Sequence, residues 1–414
     1  MDSAVYRLLA LCARAECTTT HYHQLAQQAA QLTEWEEVTA QAEAHGMAPL
    51  LYAHLKAAGV QPPLAVRRGL QGLYLRHRQT NRVRMRVLRD ILSTYDAAGI
   101  HALVLKGAAL SHLIYPEPGL RPMSDLDILV PKSELWRAQS LLAELGFDAP
   151  LPPSPTLPHR HLAVAILQTE GLSIHVEIHY KLFSDYFDQA ISYLRSMTAP
   201  KTSSFADSAS MELHGPTNPL YPFALADLTA YTLGYEDTLW YLCEHLTSHI
   251  NVWESGRLIW IADIVSFAEH FASKIDWEQI RRRYPAVIRT LSLLHFMTPL
   301  SDELLSKASI RIGQSPKGIG VEYQGWPQAR QIGWRGREYR HVLRDTIFPS
   351  EWWLRLRYKL GSVRPLFWHR WIRHPLYILG HVARVFLEWL GWPTPLELAH
   401  GGQNPRPDII DFEQ

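Results

Sequence analysis

Short apolar runs bounded by turn residues predict the strands of this chain. Ile100–Leu105 and Leu126–Val130 are two such runs, and the second is partly β-branched, so both are expected to be buried strands. Two further runs, His161–Gln168 and Leu172–Tyr180, are separated by a Glu-Gly turn and predict a β-hairpin. Because the second arm alternates apolar with polar residues, we expect one of its faces to lie on a core.

Helical spacing of apolar residues prevails in the rest of the chain. Pro131–Gly146 predicts an amphipathic helix, with recurring leucines and a glycine stop. Helices are also expected before the strands and again from Pro222 onward, after a polar linker at Thr198–Asn218. The expected organisation is a helical region at 1–98, a strand-containing core at 99–197, a helical domain at 219–300, and a loop followed by a tryptophan- and arginine-rich helical tail at 301–414.

Two aspartates one residue apart open the strand that ends at Val130. Successive side chains point to opposite faces of a strand, so Asp125 and Asp127 share one face. Two neighbouring carboxylates at the start of an apolar strand repel each other and lose solvation unless a divalent cation lies between them. Because oxygen ligands favour hard ions, the pair predicts a Mg²⁺ or Mn²⁺ site.

A lysine and a glycine stand between the first strand and a predicted short helix at Ala108–Tyr115. Glycine at such a junction lets the backbone approach a phosphate, and the helix N-terminus favours an anion. Lys106 adds a mobile positive charge suited to a triphosphate, next to Gly107. The alternative is an ordinary strand-to-helix turn with an exposed lysine.

The second hairpin arm offers a third carboxylate. His175, Glu177 and His179 share the polar face of this arm, so Glu177 is expected to face the aspartates from a neighbouring strand. Two alternatives remain open. The polar face is simply solvated, or these three residues form a histidine-rich metal site.

Together these motifs resemble the polymerase-β-type nucleotidyltransferase superfamily, and most closely the large bacterial family of uncharacterised nucleotidyltransferases. The resemblance rests on the Leu-Lys-Gly turn at 105–107, the Arg-x-x-x-Asp-x-Asp series at 121–127 and the Val-Glu-Ile-His-Tyr strand at 176–180. It extends to His245–His249 and Arg257–Asp263 and covers most of the chain. Lys-Gly stands where the superfamily usually has Gly-Ser, so the serine that contacts the triphosphate is missing.

The resemblance implies an α+β fold, with a small mixed β-sheet nucleotidyltransferase core flanked by N-terminal and C-terminal helical regions. It also implies transfer of NMP from an NTP, with ATP the expected donor, to an unknown acceptor hydroxyl or phosphate, releasing pyrophosphate. An alternative is a catalytically inactive nucleotide-binding regulatory or accessory protein on the same fold, because the Gly-Ser pair is missing.

The same resemblance assigns roles to residues. Asp125 and Asp127 are expected to hold two Mg²⁺ or Mn²⁺ ions, with Glu177 joining them on the catalytic ion. The other expected site residues contact phosphates (Lys106, Gly107, Arg121), hydrogen-bond the nucleotide (Ser124), and orient Glu177 or accept a proton (His179).

Charge and cysteine content narrow the partners and the compartment. The 41 Lys and Arg nearly balance the 40 Asp and Glu, so there is no overall basic field for nonspecific nucleic-acid binding. A small-molecule, peptide or protein acceptor is therefore expected, and a nucleic-acid acceptor is disfavoured. The three cysteines lack zinc spacing, which predicts a reducing cytoplasm. The sequence pattern predicts neither a secretory signal nor a transmembrane helix.

Two helical patterns have more than one interpretation. Six arginines between Gly72 and Ala98 form the solvated face of a helix, or a surface for an anionic acceptor. His245 and His249 lie four residues apart and so share a helix face. They pack in the core, line the cleft with Asp263 across from them, or, least favoured, bind zinc.

The tail also has two interpretations. Tryptophan and arginine are mixed in Glu351–Tyr358 and Phe367–His374, and Leu376–Trp392 continues apolar. This composition is compatible with an interfacial helix that makes peripheral contact with a membrane. It also suits helices that pack on the protein with arginine stems covering aromatic rings, which we favour.

Overall fold

The computed structural model describes residues 4–151, 160–182, 220–252, 256–321, 323, 325–326 and 339–389. The predicted linker at Thr198–Asn218 and the tail after residue 389 lie outside these ranges. Helices predominate in the described parts of the chain, and a small sheet lies among them.

The central sheet has four strands in the order β1-β2-β4-β3. Strands β2 and β4 run parallel, whereas β1 pairs with β2 and β3 pairs with β4 in antiparallel fashion, so the sheet is mixed as predicted. The predicted hairpin is confirmed, although its first arm starts later than expected. The strands are β1 (Leu103–Val104), β2 (Asp125–Leu129), β3 (Ala165–Thr169) and β4 (Leu172–His179).

The apolar residues of the parallel pair explain why the sheet is buried. Leu126 and Ile128 of β2, together with Val176 and Ile178 of β4, are completely buried in one apolar cluster. Because side chains alternate along a strand, the acidic residues between them point to the opposite face. The helices on this side are α6 (Lys106–Leu113), which connects β1 with β2, and α7 (Leu135–Glu144).

The region before the sheet is helical, as predicted. Its longest element has 34 residues and carries the arginine-rich stretch. Arg86 pairs with Glu170 at 2.7 Å, and Arg89 pairs with Asp227 at 2.5 Å, so part of the stretch is bound to neighbouring elements. The helices are α1 (Ala4–Leu11), α2 (Thr19–Gln31), α3 (Val38–Ala44), α4 (Ala48–Ala57) and α5 (Leu64–Ala97).

The prediction that helices return from Pro222 is wrong for the first eleven residues. Strands β5 (Tyr221–Leu225) and β6 (Leu228–Thr232) form an antiparallel hairpin there. Phe223 and Leu225 alternate with exposed residues and join the apolar cluster of the central sheet, a period of two that the helical interpretation overlooked. Helices then follow as α8 (Tyr235–Val252), α9 (Leu258–His270), α10 (Trp277–Arg283), α11 (Pro285–Leu294) and α12 (Asp302–Lys307).

The tail both packs on the protein and exposes apolar residues. Trp352 and Trp353 are buried in the larger helical core, and Lys359 forms an ion pair with Glu244 of α8. No helix among the described residues is long and apolar enough to cross a membrane. The described tail helices are α13 (Tyr339–Ile347), α14 (Glu351–Arg357) and α15 (His374–Trp389), the last preceded by a π-helical turn at His369–Arg373.

Candidate active site

The acidic face of the sheet opens into a cavity of about 870 Å³. The core contributes one side of this cavity, including the start of α6 and the strands β2 and β4. Helices α5, α8 and α9 contribute the other side. Of the site residues expected from the sequence, only Asp127 does not line the cavity, and it is buried next to Lys106. The expected residues that do line it are Lys106, Gly107, Arg121, Ser124, Asp125, Glu177 and His179.

The parallel register brings the acidic residues of two strands together. Asp127 is directly opposite Glu177, and Asp125 is opposite His175. One ligand atom each from Asp127, Glu177 and His179 lie within 4.8 Å of one another, which is close enough for a shared ion. His175 is not part of this group, and its Nε2 lies 3.1 Å from the Ser173 hydroxyl. The carboxylates of two strands therefore converge as the alternation of side chains predicted.

Lys106 reaches directly into this cluster. Its Nζ donates to Asp127 Oδ1 over 2.7 Å, and His179 Nε2 lies 2.9 Å from the same oxygen and 3.3 Å from Glu177 Oε2. Lys106 adopts a φ of +47°, a backbone region that costs residues with a Cβ free energy and recurs at functional sites. The structure thus holds a strained lysine against Asp127, the most buried carboxylate of this cluster.

Burial and charge interactions shift the pKa values of the cluster in opposite directions. For Asp127 burial raises the pKa, but the Lys106 ammonium and His179 outweigh this effect and hold the pKa of Asp127 below its usual value. Burial likewise raises the pKa of Glu177, but the hydrogen bond from His179 lowers it overall. For His179 burial lowers the pKa, whereas the hydrogen bonds to the two carboxylates raise it above the usual value.

Asp125 differs from its neighbour. Burial raises its pKa, and the Asp127 carboxylate raises it further. No side chain among the described residues forms an ion pair with it within 4.0 Å. Asp125 is therefore the aspartate of the pair that lines the cavity with no Lys or Arg ion-paired to it among the described residues. A cation that enters the cavity would stabilise its charged form.

Arg121 has a different environment from the one expected of a phosphate ligand. Its Nη2 donates to Asp263 Oδ2 over 2.6 Å, its Nε donates to Oδ1 over 3.1 Å, and Tyr115 donates to Oδ1 over 2.7 Å. Arg121 and Asp263 are both buried, so the guanidinium is already matched by a carboxylate. Asp263 was expected across the cleft from the histidine pair. It does not line the cavity and instead accepts hydrogen bonds from Arg121.

Gly107 is needed because Arg121 lies so close to the backbone. A Cβ at this position would lie 2.6 Å from Arg121 Nη1 and 3.0 Å from Met123 Cγ. No side chain caps the N-terminus of α6, where Gly107 is the second residue, so the N–H groups of its first turn have no capping side chain. Glycine at position 107 therefore leaves room for the Arg121 guanidinium beside a helix N-terminus that has no capping side chain.

The helical side of the cavity carries residues that the sequence did not single out as ligands. Arg84 of α5 and Arg257 before α9 line the cavity, and the Nε of Arg84 is buried with no hydrogen-bond partner among the described residues. Arg257 Nε donates to the carbonyl of Ala44. Arg84 belongs to the arginine-rich stretch of α5. It differs from Arg86 and Arg89 because those two form ion pairs with other elements, which only the structure reveals.

The histidine pair lines the cavity, as one of its interpretations predicted. The rings of His245 and His249 lie 4.4 Å apart, and both contact Trp260. Burial and the Lys106 charge lower the pKa of His249 to about 4, and they also lower that of His245. No third metal ligand accompanies the pair among the described residues, so the structure gives no support to a zinc site.

The fold and the site define a class: a small mixed sheet that presents paired carboxylates to a cleft closed by helices. Residues 31–305, which are 275 of the chain's 414 residues, match the family model described as uncharacterised nucleotidyltransferase. The chain belongs to this family, which confirms the resemblance. No curated protein matches the sequence.

Two solved structures show a distant likeness. One is a solution structure of the antibiotic-resistance factor ANT(2'')-Ia, with 13% identity, a TM-score of 0.30, and coverage of 50% of this chain and 96% of that one. The other is an antigenic nucleotidyltransferase-like protein from Paracoccidioides brasiliensis, with 16% identity, a TM-score of 0.34, and coverage of 55% and 93%. Neither likeness assigns a role to a residue of this chain.

Proposed function

We propose that the protein is a metal-dependent nucleotidyltransferase that transfers NMP from an NTP to an acceptor hydroxyl or phosphate and releases pyrophosphate. We take ATP as the donor and a small molecule, peptide or protein as the acceptor class. The observation that carries the proposal is the direct pairing of Asp127 with Glu177 on parallel strands, with Asp125 beside them at the surface of the cavity.

The donor set fits a divalent cation. Asp127 and Glu177 offer carboxylates within reach of each other, and Asp125 adds oxygen ligands nearby, while His179 Nε2 already contacts both Asp127 and Glu177. Carboxylate oxygens suit Mg²⁺ and Mn²⁺. A bound divalent cation supplies charge neutralisation for the triphosphate and lowers the pKa of an acceptor hydroxyl.

The cations of the cavity suit the phosphates of a nucleotide. Six cationic side chains line it; Lys106 and Arg121 are paired with the buried Asp127 and Asp263, and the other four still outnumber the two carboxylates of the lining. Arg84, with its buried and unpaired Nε, and the open N-terminus of α6 at Gly107 are the groups best placed to donate hydrogen bonds. The six cationic residues are Arg84, Lys106, Arg121, Arg160, Lys181 and Arg257.

His179 is best suited to an orienting role. Its Nε2 lies between the carboxylates of Asp127 and Glu177, so it holds the two side chains at a fixed separation. Because positioning and electrostatic stabilisation dominate this class of reaction, such a support contributes without forming a covalent bond. The acceptor then approaches from the helical side, past His245, His249 and Trp260.

The test is transfer of label from NTP. Purified protein is incubated with each of the α-labelled NTPs, Mg²⁺ or Mn²⁺ and a cell extract, and both labelled products and pyrophosphate are measured. We expect labelling with one preferred NTP, its loss in Asp127→Asn, and its retention in Asp96→Asn, which removes an exposed carboxylate of α5. Equal labelling in both variants would refute the acidic site.

A second candidate function has one specific observation in its favour. Lys106 Nζ donates a hydrogen bond to Asp127 Oδ1 over 2.7 Å. Lys106 and Gly107 also stand where the superfamily usually has glycine and serine. A lysine that neutralises a metal ligand is compatible with a nucleotide-binding regulatory or accessory protein without turnover. ATP binding by calorimetry without pyrophosphate release under any of the conditions above would favour this candidate.

A further inference from the structure

Exposed apolar side chains concentrate in one part of the molecule. Of the fifteen large apolar side chains that are exposed among the described residues, twelve lie between residues 339 and 386. The other three, Leu64, Leu75 and Leu151, are scattered. Single exposed leucines are ordinary, but a concentration of this kind marks an interaction surface.

Helix α15 turns apolar side chains toward solvent. Leu376, Leu379 and Val382 recur at a spacing of three and are 62%, 62% and 51% exposed. The opposite side of the helix packs on the protein, where His374 Nε2 lies 2.9 Å from the carbonyl oxygen of Thr346. A helix on the surface of a globular protein normally turns its apolar side inward, so this one is built to contact something else.

The exposed residues of three segments form a continuous surface. The rings of Phe348, after α13, and Trp371, in the π-helical turn, lie 6.3 Å apart and join the two segments. Helix α13 adds exposed side chains four residues apart, and the turn adds aromatic ones. We call this surface the C-terminal apolar face; its residues are Leu343, Ile347, Phe348, Phe367, Trp368, Trp371, Leu376, Leu379 and Val382.

The charges around this face are mostly positive. Between residues 339 and 389 the sequence has nine Lys and Arg and three acidic residues, of which Asp345 is buried and Glu351 pairs with Arg355. Arg364 and Arg373 are exposed beside the apolar residues. A second copy of the chain docked on the same face would bring like charges together, whereas anionic headgroups would match them.

We propose that the C-terminal apolar face is a membrane-contact surface, on which α15 lies in the plane of a bilayer with anionic headgroups. Tryptophan and arginine are the residues that favour the headgroup boundary, where an aromatic ring is half in hydrocarbon and a guanidinium meets phosphate. The 16-residue helix suits contact along the surface. The proposal does not depend on the chemistry of the cavity.

Flotation of the full-length protein with vesicles tests the proposal. We expect it to float with vesicles of equal parts phosphatidylcholine and phosphatidylglycerol, and less with phosphatidylcholine alone. Leu376→Gln/Leu379→Gln should lower the partition coefficient by about tenfold or more, because two side chains no longer leave water. The matched control, Leu64→Gln/Leu75→Gln, replaces two exposed leucines of α5 and should bind as the unmodified protein does.

The arginines give a second, independent variant. Arg364→Gln/Arg373→Gln should weaken binding to the anionic vesicles by about tenfold and leave the weak binding to neutral vesicles unchanged. Circular dichroism confirms that every variant is folded. Failure to float with either vesicle, or an equal loss in the α5 control, would overturn the proposal. So would a dimer, seen by sedimentation without vesicles, that Leu376→Gln/Leu379→Gln dissociates.

Discussion

Two buried charge clusters meet at Gly107 and differ in how completely they are paired. The Arg121–Asp263–Tyr115 cluster is closed, because a guanidinium, a carboxylate and a hydroxyl satisfy one another away from water. The Lys106–Asp127–His179 cluster carries additional carboxylates and opens to the cavity. A closed cluster stabilises the fold, whereas an open one retains the capacity to bind a charged ligand.

The largest expected effect is on activity, at the open cluster. Asp127→Asn should reduce nucleotidyl transfer by about four orders of magnitude, ~5.5 kcal/mol in activation free energy, because it removes a carboxylate from the metal site. Its thermal unfolding should shift to lower temperature as well, since Lys106 and His179 lose the carboxylate they pair with, so activity is compared at a temperature where the variant is folded. A variant that loses activity only in proportion to its folded fraction would contradict the assignment.

At the closed cluster the large effect should be on stability. Asp263→Ala leaves the buried Arg121 guanidinium without its carboxylate and should lower the free energy of unfolding by about 3–5 kcal/mol. Urea denaturation measures this loss. The double change Arg121→Met/Asp263→Leu removes both charges and should be less destabilising than Asp263→Ala alone. A loss below about 1 kcal/mol in Asp263→Ala would show that the Arg121–Asp263 ion pair contributes little to stability.

Gly107→Ala sharpens the comparison because Gly107 follows Lys106 of the open cluster, and its new methyl group would contact Arg121 of the closed cluster. The new methyl group would displace the Arg121 guanidinium from Asp263, at a cost of about 1–3 kcal/mol in the free energy of unfolding. Gly72→Ala is the matched control, since no atom lies within 4 Å of its Cβ position and it lies in α5. That change should be neutral or stabilising by about 0.5–1 kcal/mol. Equal effects at the two glycines would contradict the close approach described here.

Lys106→Ala separates binding from folding in the open cluster. Loss of the ammonium should weaken ATP binding by about tenfold, ~1.4 kcal/mol, because a charge facing the phosphates disappears. Isothermal titration calorimetry measures the affinity, with Lys56→Ala, which removes a lysine from α4 that does not line the cavity, as the control. Unchanged affinity in Lys106→Ala would remove its phosphate role.

The smallest effect concerns pH. Because burial lowers the pKa of His249 to about 4 in the folded protein, the unfolded chain binds the proton more readily at mildly acid pH. This histidine therefore destabilises the fold progressively as pH falls from its unfolded pKa of about 6.5 toward 4, by about 1 kcal/mol over the first pH unit. His249→Gln should remove that part of the pH dependence of the urea midpoint. Identical pH profiles for the two proteins would contradict the shift.

The fold was predictable where the sequence pattern was strong. That Asp127 and Glu177 point to the same face followed from the alternation of apolar residues along two strands, whereas their parallel register is seen only in the structure. The hairpin at Tyr221–Leu225 was missed because its strands are short, and the helices that follow dominate the local pattern.

The site was only partly predictable for a different reason. Which cation serves which carboxylate depends on tertiary distances, so the sequence did not reveal that Asp263 would bind Arg121 while Asp127 would bind Lys106. Arg84 could not be separated from its neighbours in α5 either, because the ion pairs that occupy Arg86 and Arg89 involve residues far along the chain.

Binding of Mn²⁺ in the presence of ATP tests the central claim most directly, since it needs no acceptor. Electron paramagnetic resonance measures the free Mn²⁺ remaining after addition of protein and nucleotide. The unmodified protein should bind the ion, and Asp127→Asn and Glu177→Gln should each weaken that binding by at least about tenfold. Equal Mn²⁺ binding by all three proteins would contradict the account.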